Sequence, residues 1–123
     1  MAGKDQLRSF IANSFRSVWA VELLRFIAEN PDRYYSSAEL IAALRASDAV
    51  VSQSVENLTV AGLAVVDGEG RVAYHGGSPA QVAQVKAAID YYGRSPDLVR
   101  RLIVAQSNPG VTAFADAFKL RKD

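Results

Sequence analysis

Few side chains in this sequence are suited to covalent chemistry. The chain has one histidine, His75, and no cysteine, so it can form neither a thiol nucleophile nor a metal site of clustered histidines or thiolates. Asp67 and Glu69 are a carboxylate pair, but they alternate with Gly68 and Gly70 in a stretch typical of a solvated hairpin turn. DGEG is also too short for a phosphate-binding loop. We therefore predict no enzyme activity, no catalytic residues, no metal and no cofactor.

A second group of polar side chains is suited to recognition by hydrogen bonds. It lies in a segment that starts at Ser47 and carries an apolar stripe, Val51, Val55 and Leu58, at helical spacing. This pattern predicts a helix over 47–62. Opposite the stripe, the residues are small or polar and include one carboxylate and no cation: Ala49, Ser52, Gln53, Glu56, Asn57 and Val60. The amides on this outer face can each pair with adenine through two hydrogen bonds.

The neighbouring segments must position that helix. Apolar residues alternate with others on both sides of the DGEG turn, which predicts a two-stranded hairpin over 64–75. Ser36 and Glu39 fit a capping box that opens a helix ending near Ala46, only a few residues before Ser47. Two helices joined by so short a turn favour helix-turn-helix geometry. Tyr34-Tyr35 is predicted to be a short extended link.

Further helices are predicted on both sides of this unit. Helical periodicity covers 4–15 and 18–30, and the second of these is apolar nearly all round, which is typical of a central buried helix containing Trp19. Ser78-Pro79 begins another helix, which ends at Gly93, and Ser95-Pro96 begins the next. A last short helix is predicted over 111–123. With no repeat and no linker, 1–123 is predicted to be a single domain.

Charge is unevenly distributed along the chain. The formal net charge is +1. Residues 31–76 nevertheless carry three basic and six acidic groups, and residues 77–123 carry seven basic and four acidic groups. Affinity for DNA depends on Lys and Arg neutralising phosphates. The acidic central third therefore opposes binding to nucleic acid, and the basic groups that could compensate lie mostly in the C-terminal helices.

The order of elements over 17–76 resembles the winged helix-turn-helix superfamily, and most closely small bacterial MarR-like regulators. The segments that carry this resemblance are SVWAVELLRFIAENPD, YSSAELIAALRAS and SDAVVSQSVENLTVAGLAVVDGEGRVAYH. It implies a mostly α fold with a small β-hairpin wing and added N- and C-terminal helices. It also implies that the helix at 47–62 lies in the major groove and the wing at 64–75 on the DNA backbone. The DNA-binding residues it implies are Ser47, Ser52, Gln53, Asn57, Arg71 and His75.

The flanking segments, 1–16 and 77–123, correspond to helices that commonly build a homodimer in such proteins. The apolar residues expected at that interface are Leu7, Phe10, Ile11, Val82, Val85, Ile89, Tyr92, Leu102, Phe114 and Phe118. No effector ligand is predicted, because the aromatic residues of this chain are expected to pack in its core.

Two functions remain open. The first is a homodimeric transcriptional regulator that binds double-stranded DNA. The alternative, favoured by the acidic central third, is a winged-helix module that binds a protein partner and modulates another regulator without touching DNA. The N-terminal sequence shows neither a signal peptide nor a membrane anchor, so we expect a cytoplasmic protein that does not bind membranes.

Overall fold

The computed structural model describes residues 2–107, with the side chains of 5–105, and this part contains six helices and one small sheet. The helices are α1 (Ala2–Ser14), α2 (Val18–Ala28), α3 (Ser37–Leu44), α4 (Asp48–Val60), α5 (Pro79–Arg94) and α6 (Pro96–Ser107). The strands are β1 (Ala64–Val66) and β2 (Val72–Tyr74). The prediction of a mostly α fold with a small hairpin is confirmed. The predicted helix over 111–123, with Phe114 and Phe118, lies outside the described residues.

Serine hydroxyl groups set the start of four helices. Ser17, Ser36, Ser47 and Ser78 each have extended backbone, and each side chain accepts a hydrogen bond from the backbone N–H three residues further on. At α3 the bond is reciprocal, because the Glu39 carboxylate accepts from the Ser36 N–H at 2.9 Å. Each such cap contributes about 1 kcal/mol by satisfying a backbone donor that the helix cannot. The predicted capping box is confirmed.

A three-residue connection joins α3 to α4. Arg45 ends α3 in the left-handed region, with φ 52°, and is the one non-glycine residue with positive φ among the described residues. This conformation reverses the chain so that α4 can pack against α3 immediately afterwards. For a residue with a Cβ it costs roughly 1–2 kcal/mol.

Helix α2 forms the centre of the core. Ala20, Val21, Leu23, Leu24 and Ile27 are each at most 1% exposed, and they pack with buried residues of the other elements. The buried partners include Leu40 of α3, Val51 and Leu58 of α4, and Val72 of β2.

Trp19 is an apolar residue of α2 that is not buried. The expectation that it packs in the core is wrong, since its side chain is 40% exposed. The five buried residues already occupy the inward side of the helix. Trp19 is left at the margin, beside a groove that it lines with Glu22, Ala43 and Leu44.

The hairpin is joined to the helices by a third extended segment. β1 and β2 are antiparallel, with Ala64 opposite Tyr74 and Val66 opposite Val72. Tyr35, in the link between α2 and α3, bridges to the outer side of β2. Its N–H donates to Val72 O and its carbonyl accepts from Val72 N–H, both at 2.8 Å. The predicted extended link is therefore a third strand position of the sheet.

The flanking helices α1, α5 and α6 pack on one another and complete the core. Ile11 and Val85, which the sequence assigned to a dimer interface, are each 1% exposed within this single chain. That assignment is wrong for these two residues, because both side chains face the chain's own core. The other described apolar residues of that set are partly buried: Leu7, Phe10, Val82, Ile89, Tyr92 and Leu102. None of the helices over 2–107 combines the length and the apolar composition needed to cross a membrane.

Candidate nucleic-acid interface

Helix α4 keeps one side clear of the rest of the described molecule. The residues on that side are exposed: Asp48, Ala49, Ser52, Gln53, Glu56, Thr59 and Val60. Ser52 and Gln53 lie there as expected, and they supply a hydroxyl and an amide for hydrogen bonding. Glu56 lies near the middle of the exposed arc, and no Lys or Arg occurs in α4. We call this surface the α4 outer face.

Asn57 does not belong to the α4 outer face. Its side chain is 8% exposed and spans the link between α1 and α2. Asn57 Oδ1 accepts from the backbone N–H of Arg16 at 2.8 Å, and Asn57 Nδ2 donates to the carbonyl of Ser14 at 2.8 Å. The expectation that Asn57 faces a DNA groove is wrong. The helical wheel places it at the edge of the outer arc, and the chain folds the α1–α2 link over that edge.

Ser47 already has a partner at the start of α4. Its hydroxyl accepts from Val50 N–H at 3.1 Å, so its main role is to cap the helix. The side chain is exposed, and its position next to the α3–α4 turn is the one expected from the sequence.

The hairpin tip is organised by Asp67. Its Oδ1 accepts from the backbone N–H groups of Glu69 and Arg71, each at 2.9 Å, and its Oδ2 accepts from Arg71 Nε at 2.9 Å. The hydrogen bond from the Arg71 backbone, with that from Glu69 and the Arg71 charge, lowers the pKa of Asp67 below its ordinary value. Arg71 also lies 3.6 Å from Glu69. The guanidinium expected to contact DNA is thus engaged by two carboxylates of its own turn.

His75 lies at the base of the hairpin, at the end furthest from Asp67. Its backbone N–H donates to Leu63 O at 3.0 Å, which closes the hairpin, and its side chain is exposed. Gly62, with φ 78°, provides the turn from α4 into β1. Gln81 Nε2 donates to the Gly62 carbonyl at 2.9 Å and so connects α5 to this turn.

Two arginines near α4 were not predicted from the sequence. Arg45 lies in the α3–α4 turn, and Arg16 is held beside α4 by the hydrogen bond to Asn57. Both side chains are exposed, and neither forms an ion pair within the described residues. Spacing could have suggested Arg45, since it lies at the end of one predicted helix and only a few residues before the start of the next. The placement of Arg16 depends on a contact between positions 41 residues apart, and no local pattern reveals it.

A polar contact joins α2 to α5 on another side of the molecule. Tyr92 donates its hydroxyl to Glu22 Oε2 at 2.5 Å. Burial, followed by this hydrogen bond, raises the pKa of Tyr92 to about 12. The adjacent Tyr91 hydroxyl is buried and has no hydrogen-bond partner in the described part of the chain. Neither group lies on the α4 outer face, and over the residues described no three His, Cys, Asp or Glu side chains come together to hold a metal.

Comparison of the chain with protein-family models, with curated proteins and with solved structures finds no match.

Proposed function

We propose that this fold is a winged helix-turn-helix, and that the protein is a transcriptional regulator that binds double-stranded DNA with the α4 outer face. The observation that carries the proposal is the exposure of Ser52 and Gln53 on a helix whose opposite side is fully packed. A helix held in this way presents a rigid row of hydrogen-bonding groups, as major-groove recognition requires.

The connection of the elements supports the proposed fold. A bridge at Tyr35 follows α2, the pair α3 and α4 is joined by a three-residue turn, and a hairpin pairs back onto Tyr35 through Val72. The order helix, strand position, helix, helix and two-stranded wing is that of a winged helix. In such a unit the second helix of the pair enters the groove and the wing lies on the backbone.

The dimensions and chemistry of α4 suit the proposed partner. Its 13 residues correspond to a length of about 20 Å, and the major groove is roughly 12 Å wide and admits one α-helix. Gln53 can form two hydrogen bonds with adenine, and Ser52 can donate to or accept from several bases. Because the Asn57 side chain is buried, Gln53 is the main residue proposed to read the bases.

A test of the proposal is the binding of the full chain to a fluorescein-labelled duplex of mixed sequence, followed by anisotropy at several salt concentrations. DNA binding is expected at low salt, with an affinity that falls steeply and linearly on a logarithmic salt scale. An anisotropy that stays flat at the lowest salt would overturn the proposal.

A second candidate function, a protein-interaction module, is favoured by two residues of the same face. Glu56 places a carboxylate near its middle, and Val60, at its end, is 74% exposed. Glu56→Gln separates the two functions. If DNA docks here, removing the charge strengthens binding to the mixed duplex about fivefold, since one repulsion of about 1 kcal/mol is relieved. If a protein docks here, the wild-type chain leaves the duplex unbound and Glu56→Gln does not change that.

The proposed regulator acts in the cytoplasm as a homodimer, and a two-fold assembly presents two copies of α4 to two half-sites. The described surfaces for such contact are the exposed parts of Leu7 and Phe10 on α1, Ile89 and Tyr92 on α5, and Leu102 on α6. Sedimentation velocity of the full chain tests this part of the proposal. A single species with the mass of one chain at micromolar concentration would overturn it.

A further inference from the structure

The arginines around α4 differ in what they contact. Residues 16–76 contain five: Arg16, Arg25, Arg33, Arg45 and Arg71. Arg33 pairs with Glu39 at 3.1 Å and lies 4.8 Å from the centre of the Tyr35 ring. Arg71 pairs with Asp67 and Glu69 at the hairpin tip. These two guanidinium groups already have carboxylate partners, so a phosphate would have to compete for them.

Arg25 has a different location. It lies on α2 and lines a groove with Ala28, Lys86 and Asp90, on the side of the molecule formed with α5. It is therefore a cation of the same unit that lies beside α5. The two remaining arginines, Arg16 and Arg45, border α4 and form no ion pair in the described residues.

The backbones of Arg16 and Arg45 are held near opposite ends of α4. Arg45 precedes the N-terminus of the helix by three residues, and its backbone is held as the C-cap of α3, with its N–H bonded to Ile41 O. Arg16 is held at the level of Asn57, in the last turns of α4. From Ser47 to Asn57 the helix rises roughly 15 Å, at about 1.5 Å per residue. The two α4 positions beside which these arginines are held are thus separated by somewhat more than the roughly 12 Å width of the major groove.

We propose that Arg16 and Arg45 contact the backbone phosphates of a DNA duplex on the two sides of the groove that α4 enters. This inference rests on the proposed function, and it identifies where that function obtains its affinity. An exposed guanidinium can form two parallel hydrogen bonds with a phosphate, and its planar shape means that less side-chain entropy is lost per hydrogen bond than for a lysine. The pair also accounts for DNA binding by a unit whose overall charge is negative. Arg71, the arginine that the sequence favoured, is not needed.

The test uses the full chain and a labelled duplex of mixed sequence, roughly three helical turns long. Arg16→Ala and Arg45→Gly are each expected to weaken binding about tenfold, as expected for loss of a charged hydrogen bond. Each is also expected to reduce the slope of log affinity against log salt by about 0.9, the value for one phosphate contact. Arg25→Ala, the matched control, is expected to leave both quantities unchanged. Arg16→Lys and Arg45→Lys, which keep the charge, are expected to restore most of the slope.

The outcomes distinguish a failure of the arginine contacts from a failure of DNA binding itself. If the wild-type chain binds and Arg16→Ala and Arg45→Gly keep its affinity and slope, the arginine contacts are overturned and DNA binding stands. If the wild-type chain does not bind at low salt, the proposed function fails, and the arginine contacts fail with it. Thermal unfolding of each variant verifies folding. Neither change removes a backbone hydrogen bond, since Arg16 N–H still donates to Asn57 and Arg45 N–H to Ile41 O.

Discussion

The side chain of Asn57 and the backbone of Arg16 are hydrogen-bonded at 2.8 Å although they are 41 positions apart in the chain. With the second bond, from Asn57 to the Ser14 carbonyl, this contact fixes the link between α1 and α2 against α4. An asparagine that the sequence assigned to DNA reading is therefore a structural residue. Under the proposed function, its effect on DNA binding is indirect, through the position of Arg16.

Asn57→Ala is expected to destabilise the fold. The change leaves a backbone N–H and a carbonyl without partners in a partly buried place, and leaving such groups unsatisfied costs about 1–3 kcal/mol. Chemical denaturation measures this loss. Gln53→Ala, one turn earlier on the α4 outer face, is the control and should stay within about 0.5 kcal/mol of the wild type. Equal stability of the two variants would contradict the assignment of Asn57 to the core.

Arg45→Gly is expected to stabilise the protein. Glycine adopts the left-handed conformation without steric cost but loses more entropy on folding, so the net gain is about 0.5–1 kcal/mol. Arg45→Ala removes the same charge but keeps the strain, and its stability should remain close to that of the wild type. Denaturation of both variants separates strain from charge. A gain of the same size in Arg45→Ala would show that charge repulsion, and not the backbone, is responsible.

Tyr92→Phe is expected to be destabilising and Tyr91→Phe to be neutral or slightly stabilising. The first change removes a hydrogen bond to the Glu22 carboxylate, worth about 1 kcal/mol at a partly exposed site, whereas the second removes a buried hydroxyl without a partner in the described residues. Thermal unfolding of both variants at neutral pH tests this difference. If Tyr91→Phe proved the more damaging change, the hydrogen bonding of the two tyrosines would have to be reassigned.

The raised pKa of Tyr92 predicts that the stability of the protein depends on pH in alkaline solution. The pKa of Tyr92 is about 12 in the folded chain against an ordinary 10.0. Unfolding therefore releases a proton between these values, and stability should fall as the pH rises from 10.0 to about 12. Tyr92→Phe should lose less stability over that window than the wild type, as measured by the midpoint of unfolding at each pH. If Tyr92→Phe and the wild type lost stability equally over this pH range, ionisation of Tyr92 would not be the cause.

The hairpin tip predicts a pH dependence in acid. The pKa of Asp67 lies below its ordinary 3.8, because its carboxylate accepts hydrogen bonds from the backbone of Arg71 and Glu69. The hydrogen bonds that this carboxylate accepts order the turn above pH 3.8. They are lost as the pH falls through the lower pKa that Asp67 has in the folded chain. In NMR spectra, the amide protons of Glu69 and Arg71 should shift together with a midpoint below 3.8. Glu69→Gln should leave that midpoint nearly unchanged, and a midpoint at or above the ordinary value would contradict the turn geometry.

Local signals allowed much of the fold to be predicted. Ser36, Ser47 and Ser78 marked helix starts because N-caps use residues adjacent in sequence. The hairpin was predicted from alternating residues on either side of a glycine turn. What local patterns could not supply were contacts between distant segments, such as the bridge from Tyr35 to Val72.

The candidate site was less predictable than the fold, for the same physical reason. A helical wheel gives an angle but not what packs over it, so it could not separate exposed Gln53 from buried Asn57. Ion pairs are equally hidden: Arg71 is an exposed cation in sequence terms, yet its own turn provides two carboxylates. Trp19 shows the opposite error, since α2 has more apolar residues than its buried side can hold.

In vitro selection tests whether the α4 outer face reads double-stranded DNA, as we propose. The full chain would be used at low salt to recover duplexes from a random pool through several rounds, beside Gln53→Ala as a matched variant. The wild type is expected to enrich a motif whose half-sites are about one helical turn apart. Gln53→Ala is expected to lose preference at one base pair of each half-site while still binding. If the wild type recovered no sequence above the starting pool, DNA reading by the α4 outer face would be contradicted.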